Sequence, residues 1–417
     1  MHFKPEVRDT ELPEILRRFI NIADRKRWEK RLAWLDREAR RDVGMRHFWQ
    51  ERCALELAFS RTRRQYRNTG RIWVDPSETE TLRFLAFAAM TVSCHDRLTP
   101  RGRSRLEGML RGATTRDFGL GPLGYEMKVA SHLMSRGYDV IFHDLEGGRG
   151  YDFLAAKEGV SVEVECKHMS GDAGRKIHRK ELYRFGDRAA LWMRNHLASL
   201  TTGLFVRLTI PDRLESGDQY QKALCTFLGQ ALLSGEPDAE RDGNRIQVQE
   251  FDVEQVAGPW LAAGKFDRTE MEARLTHHFG LAHKNALLYL RPHQSVVALL
   301  IQSDQKDNVL NAMHAELRKS TKDQFTGELP AILCCHLADL TQEQMLSLGR
   351  GGHGRALDSL ATELMRRRPH LYSVTFTAAG SVSADSVREK GPAYTILNRD
   401  HPRATDERLS IFRDGWP

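Results

Sequence analysis

The stretch Val160-Ser161-Val162-Glu163-Val164-Glu165-Cys166-Lys167 constrains this chain more than any other, because its strict alternation commits it to a β-strand. With a side-chain period of two, Val160, Val162, Val164 and Cys166 point to one face, and Ser161, Glu163, Glu165 and Lys167 to the other. Two carboxylates and an ammonium in one row concentrate more charge than a solvent face needs. Such a row is either a metal-binding edge or a set of cross-strand ion pairs without chemistry. Glu163 carries this choice most openly: it is either an additional ligand or a surface partner of Lys157 or Arg175.

The residues upstream favour the metal-binding edge. Gly147-Gly148-Arg149-Gly150 is a turn signal, and Tyr151-Asp152-Phe153-Leu154-Ala155-Ala156 after it reads as a neighbouring strand with an acid at its start. Lys157-Glu158-Gly159 is a tight hairpin connection, so Asp152 and Glu165 fall on adjacent strands. Helical spacing over Leu123 to Arg136 places Val129, Ala130, Leu133 and Met134 on one apolar face, and Glu126 shares it, pointing inward. Three acids and a lysine converging from a helix and two strands suit Mg²⁺, a hard cation that takes oxygen ligands and keeps several waters. The ion lowers the pKa of a bound water and neutralises phosphoryl charge, while the lysine orients the attacking water and offsets the phosphate. The chemistry implied is phosphodiester hydrolysis. His168 and His178 lie near enough in sequence to be acid/base candidates, but a histidine beside basic residues more simply contacts phosphate or solvent, and neither joins the catalytic set.

These residues resemble the PD-(D/E)xK, or restriction-endonuclease-like, nucleases, whose core runs helix, three-strand meander, helix, strand. Glu126 resembles the first-helix glutamate of that family, Asp152 its metal-binding aspartate, and Glu165-Cys166-Lys167 its E-x-K, with Tyr151 where the motif has proline. The resemblance covers residues 120 to 212, about a quarter of the chain. It implies an α/β fold with a restriction-endonuclease-like α-β-β-β-α-β core, completed by a helix over Arg175 to Leu197 and the strand Gly203 to Ile210. It further implies Mg²⁺ (or Mn²⁺) held by Asp152, Glu165 and the Cys166 backbone carbonyl, with Glu126 as an outer or second-metal ligand and Lys167 at the water and scissile phosphate. The substrate it points to is nucleic acid, DNA before RNA, in a bacterial restriction, phage-defence or repair setting. A homodimer and an additional defence-system protein are the partners it allows. Two other readings stay open: a catalytically inactive nucleic-acid-binding scaffold on the same fold, and an RNase or toxin using the same core.

Around this segment the sequence suggests three regions: a basic helical domain over 1–115, the nuclease-like core over 116–253, and an α/β region over 254–417 that either extends the nuclease sheet or stands apart. Helical periodicity covers most of residues 11 to 68 and 78 to 92, with Arg17, Arg18, Arg25, Lys26, Arg27, Arg61, Arg63, Arg64 and Arg67 crowding there. Such a surface grips a phosphate backbone, or it is a solvated face paired with Glu29, Asp36 and Glu38. The interleaved tryptophans read as core anchors rather than base-stacking surfaces. A formal charge of +7 leans the same way as the arginines, toward a polyanionic partner.

Later elements are a helix over 219–233, a polar loop over 235–243, strands at 245–251, 286–290, 295–301, 330–337 and 370–377, and helices at 308–319 and 356–366. Gly349 to Arg355 is a glycine-rich loop without the lysine-serine pair of a phosphate-binding P-loop, so no nucleotide cofactor is expected. Six cysteines without C-x-x-C spacing read as reduced, buried thiols; Cys334-Cys335-His336 lies in an apolar strand whose neighbours face opposite sides, which argues against a zinc cluster. The longest apolar stretch, Phe84 to Cys94, is too short to cross a bilayer, and no secretory signal is visible in residues 1–20. A cytoplasmic, membrane-free protein is the expectation.

Overall fold

The computed structural model describes residues 8–40, 44–75, 78–115, 117, 119–200, 202–257, 268–281, 285–291, 295–341, 345, 355–379 and 393–412. Helices α1 (Leu12–Ile22), α2 (Arg25–Glu38), α3 (Gly44–Arg52), α4 (Ala54–Thr69), α5 (Thr79–Arg97), α6 (Pro100–Ala113) and α7 (Gly121–Ser135) precede strands β1 (Asp139–Phe142), β2 (Phe153–Lys157) and β3 (Val160–Met169). Next come α8 (Arg179–Ser199), β4 (Gly203–Ile210), α9 (Asp218–Ser234), β5 (Asp238–Arg241), β6 (Asn244–Phe251), α10 (Val253–Ala257), α11 (Arg268–His278), β7 (Ala286–Arg291) and β8 (Ser295–Ser303). Then follow α12 (Val309–Asp323), β9 (Ala331–Thr341), α13 (Ala356–Arg367), β10 (Leu371–Ala379) and β11 (Tyr394–Leu397). The fold is mixed α/β with two mixed sheets.

Two compact units divide the chain: one holds 1–37, 50–173 and 309–417, the other 38–49 and 174–308. This differs from the three consecutive regions read from the sequence. In the first unit Phe19, Trp28, Phe59 and Phe84 of the N-terminal helices belong to the same apolar core as Val129 and Leu133 of α7 and Val162 and Val164 of β3. Amphipathic helices bury their stripe against whatever apolar face is free, and here that face is the sheet layer rather than one another alone.

The first unit's sheet has the order β1-β2-β3-β9-β10-β11. β1, β2 and β3 form the expected antiparallel meander, and Glu158 (φ 50°) and Gly159 (φ 76°) make the two-residue turn between β2 and β3, the left-handed pair that a type I′ hairpin requires. β9 pairs parallel with β3, setting Glu165 opposite Leu333 and Lys167 opposite Cys335; β10 pairs parallel with β9. Both faces of β3 are covered. Val160, Val162, Val164 and Cys166 join the core that includes α7, while Met169 joins Met313 and Leu317 of α12 and Leu357 and Leu360 of α13. Cys334 and Cys335 likewise enter different cores, as the strand alternation requires.

The expectation that α8 and β4 complete the sheet is corrected. β4 is the middle strand of the second unit's sheet, β5-β6-β4-β8-β7, and the strand beside β3 is β9. Both β4 and β9 are continuous apolar runs, the composition of strands covered on two faces, so local pattern cannot tell which one pairs with β3. Nearness in sequence favoured β4, and tertiary packing selected β9. Most later elements match expectation closely. The polar loop over 235–243 is an exception, since it contains β5 and, at Asp242 (φ 51°) and Gly243 (φ 75°), a second left-handed hairpin turn. Residues 349–354 of the glycine-rich loop lie outside the described residues.

Candidate functional site

Asp152 sits immediately before β2, where the β2–β3 ladder ends: its N–H donates to the Val164 carbonyl at 3.1 Å, and its Oδ2 accepts the Cys166 N–H at 2.7 Å. The second bond ties the carboxylate to the strand carrying the E-x-K residues. Glu165 is 2% exposed; its Oε1 meets Lys167 Nζ at 2.5 Å, while its Oε2 is buried and has no hydrogen-bond partner among the described residues. Glu126 is half-buried on α7, the helix packed on β3.

Electrostatics brings these groups together. Burial, the Asp144 charge and the Glu165 charge push the Glu126 carboxyl up to about 8, with Lys167 pulling against them. Burial, then Glu165 and Glu126, drive Asp152 well above the usual carboxylate range. Glu165 is raised by burial, which outweighs the opposing Lys167 ammonium. For Lys167 burial works to lower the pKa, but Glu165, Asp152 and Glu316 prevail and the net shift is upward. The lysine is therefore a cation at neutral pH, suited to offsetting anionic charge rather than to abstracting a proton.

Asp144 was not singled out from the sequence. It lies in the turn after β1, its Oδ1 accepts the Leu145 N–H at 2.6 Å, and its charge raises the pKa of Glu126, Asp152 and Glu165. His-Asp-Leu-Glu before a glycine-rich turn carries no periodic signal, and only the meander's curl places Asp144 beside the other acids.

The remaining expected residues fall elsewhere. Glu163 is 1% exposed and binds the 326 turn: its Oε2 accepts the Thr326 N–H at 3.0 Å and its Oε1 the Thr326 hydroxyl. It is therefore not a surface partner of Lys157 or Arg175. Covering both faces of β3 buried the two glutamates of an apparently exposed row. The Cys166 thiol is buried, and its pKa is raised by burial and by Cys334. Tyr151 stacks on His143, with ring centroids 4.2 Å apart. His168 stands 5.2 Å, ring to ring, from His336, whereas His178 precedes α8 in the second unit.

α7 is held at its start. Glu56, 0% exposed on α4, accepts the Leu120 N–H at 3.2 Å and lies 3.8 Å from Arg31. A Cβ at Gly119, which has φ +56°, would stand 1.6 Å from Glu56 Oε1, so only glycine fits the approach. Burial pushes Glu56 up to about 7.

No protein-family model, curated protein or solved structure matches this chain. The site is therefore judged on its own chemistry. Among the described residues no three His, Cys, Asp or Glu side chains already stand as a ready-made metal-ligand group. The donor set nonetheless fits a hard cation: the Asp144 and Glu165 charges raise the pKa of Glu126 and Asp152, Lys167 opposes the rise at Glu126 and Glu165, and Glu165 offers a buried oxygen with no hydrogen-bond partner among the described residues.

Proposed function

We propose that this protein is a metal-dependent nuclease that hydrolyses phosphodiester bonds, DNA before RNA. The observation that carries the reading is the electrostatic linkage of Glu126, Asp144, Asp152 and Glu165, with Lys167 paired to Glu165 and Glu165 Oε2 buried and unbonded among the described residues. The Asp144 and Glu165 charges disfavour ionisation of Glu126 and Asp152, and a bound divalent cation would relieve that repulsion. Asp152 and Glu165 would hold Mg²⁺ or Mn²⁺, with the Cys166 carbonyl, Glu126 and Asp144 nearest to supply further oxygen. When bound, the ion activates a water and neutralises phosphoryl charge. Lys167, kept protonated by Glu165, meets the negative charge of the phosphate. The Cys166 N–H fixes the orientation of Asp152, and Glu56 fixes the helix that carries Glu126.

The element order supports a restriction-endonuclease-like core in which α7, β1, β2, β3, α12 and β9 keep the helix-meander-helix-strand succession, and residues 174–308 are inserted between β3 and α12. Six free, buried cysteines suit a reducing cytoplasm, and no described helix is long and apolar enough to cross a membrane. The test is cleavage of supercoiled plasmid, linear duplex, single-stranded DNA and RNA with Mg²⁺, Mn²⁺ or EDTA, beside Asp152→Ala and Lys167→Ala. Metal-dependent cutting lost in both variants supports the reading and identifies the substrate. Cutting that survives both substitutions, or inactivity on every substrate, overturns it in favour of a binding scaffold.

A further inference from the structure

The described tryptophans sort by burial: Trp28 and Trp49 are buried, Trp34 and Trp192 half-buried, and Trp73 is 62% exposed. Trp73 sits on a held backbone. After Gly70 turns the chain out of α4 at φ +67°, Arg71, Trp73 and Asp75 face out while Ile72 and Val74 pack against the core, the alternation of an extended segment. The Trp73 N–H donates to Gln65 Oε1 at 3.2 Å, and the Thr69 hydroxyl donates to the Arg71 carbonyl at 3.0 Å. The segment therefore folds back beside the last turns of α4.

That return brings the Trp73 backbone beside the last turns of α4, a helix whose exposed residues include Arg61 and Arg64. Arg61 lies one turn before Gln65 on the same side of the helix, roughly 6 Å along its axis, and Arg64 lies next to it. Arg71 shares the outward side with Trp73. All three arginines are exposed, and neither Arg61 nor Arg71 forms an ion pair among the described residues, while Arg64 meets Asp36 at 2.6 Å. An exposed aromatic ring on a held backbone, on a segment and a neighbouring helix that carry exposed arginines, combines a stacking face with phosphate-binding charge. Duplex bases are already stacked on one another, so a lone outward indole is useful to unpaired bases.

We propose that Trp73, with Arg61, Arg64 and Arg71, forms a stacking surface for unpaired bases of a single-stranded nucleic acid. This deepens the nuclease reading and rests on it. Trp73 stacks on a base while the arginines contact the phosphates on either side.

The test uses the full chain in EDTA, titrated against a labelled single strand and against the duplex of the same sequence, for wild type, Trp73→Ala and Trp73→Phe. The expected result is single-strand binding weakened roughly ten- to hundredfold by Trp73→Ala, from the measured worth of base–aromatic stacking. Trp73→Phe should restore most of it, and duplex binding should stay close to wild type. Circular-dichroism melting checks that Trp73→Ala folds, as an exposed side chain allows. Equal single-strand affinity in wild type and Trp73→Ala, or equal loss on duplex, overturns the stacking surface. If cleavage by wild type persists in that case, the nuclease reading stands without it. If wild type binds no single strand, the stacking surface falls, and the nuclease reading is decided separately by metal-dependent cleavage. Self-association lost in Trp73→Ala, with nucleic-acid binding unchanged, assigns the indole to a protein contact and also overturns the proposal.

Discussion

β3 and β4 hold equivalent places in two different sheets. Each has an antiparallel partner on one side, β2 or β6, and a parallel partner on the other, β9 or β8. β4 fills this place with Leu204, Phe205, Val206, Leu208 and Ile210, and its single charge, Arg207, stays half-buried against Gln247. β3 buries Glu163 and Glu165 and holds Lys167 beside them. A strand in this setting needs no carboxylates to pair or pack, so the acids of β3 cost stability that the fold did not require. Glu163 offsets that cost with two hydrogen bonds to Thr326, but Glu165 keeps a bare oxygen. In the proposed nuclease reading that oxygen is the one offered to a metal ion.

The contrast is broken most forcefully by activity. Asp152→Ala and Lys167→Ala should each lower metal-dependent cleavage by about a thousandfold or more, while Arg207→Ala in β4 should leave it close to wild type; single-turnover plasmid cleavage decides, and a comparable loss from Arg207→Ala would erase the distinction between the strands. Stability should show the reverse. Leu208→Ala, at a site 0% exposed, should cost about 2–5 kcal/mol in urea unfolding. Glu165→Gln in EDTA should leave the midpoint unchanged or raise it.

A pH series isolates the anchor of α7. The folded protein holds the Glu56 proton up to about pH 7, against a reference of 4.5. Its contribution is therefore complete below the unfolded value and is lost as pH rises through the folded one. The loss is on the order of 3 kcal/mol at 1.36 kcal/mol per pKa unit. Arg31, Cys53 and the Leu120 N–H face the same carboxyl and are common to both proteins compared. Glu56→Gln should flatten the wild-type decline between pH 4.5 and 7, measured by thermal melting, and identical profiles would show that the group does not titrate there.

Saturating Mg²⁺ should raise wild-type stability by about 2.7 kcal/mol at a hundred times its Kd, with no gain in Asp152→Asn or Glu165→Gln. A gain that persisted in both would place the ion elsewhere. The smallest effect compares the two hairpin turns, Glu158-Gly159 in the first sheet and Asp242-Gly243 in the second. Asn tolerates the left-handed region better than Glu, so Glu158→Asn should stabilise by under about 1 kcal/mol, whereas Asp242→Asn should change little.

Much of the candidate site's placement was legible in the sequence. Alternation placed Glu165 and Lys167 on one strand, the Gly147–Gly150 turn announced Asp152, and helical spacing found Glu126. Asp144 escaped because a turn residue has no period to betray it. Glu163 was misjudged because alternation reports which residues share a face and is silent on whether that face is covered. The pairing of β3 with β9 was illegible for a related reason, since two equally apolar strands compete for one edge and only the sum of contacts ranks them.

By itself the sequence determined what is local: the period of each strand and helix, the glycine-bearing turns, and the run of acids and a lysine at fixed spacing. These follow from backbone geometry and from the handful of residues that satisfy it. Tertiary structure decided what depends on distant partners: residues 174–308 form a separate unit with their own sheet, β9 borders β3, and Asp144 joins the acids. It also decided that the two glutamates of the charged row are buried. Burial and charge–charge coupling are sums over neighbours far apart in the chain, and no local pattern contains them.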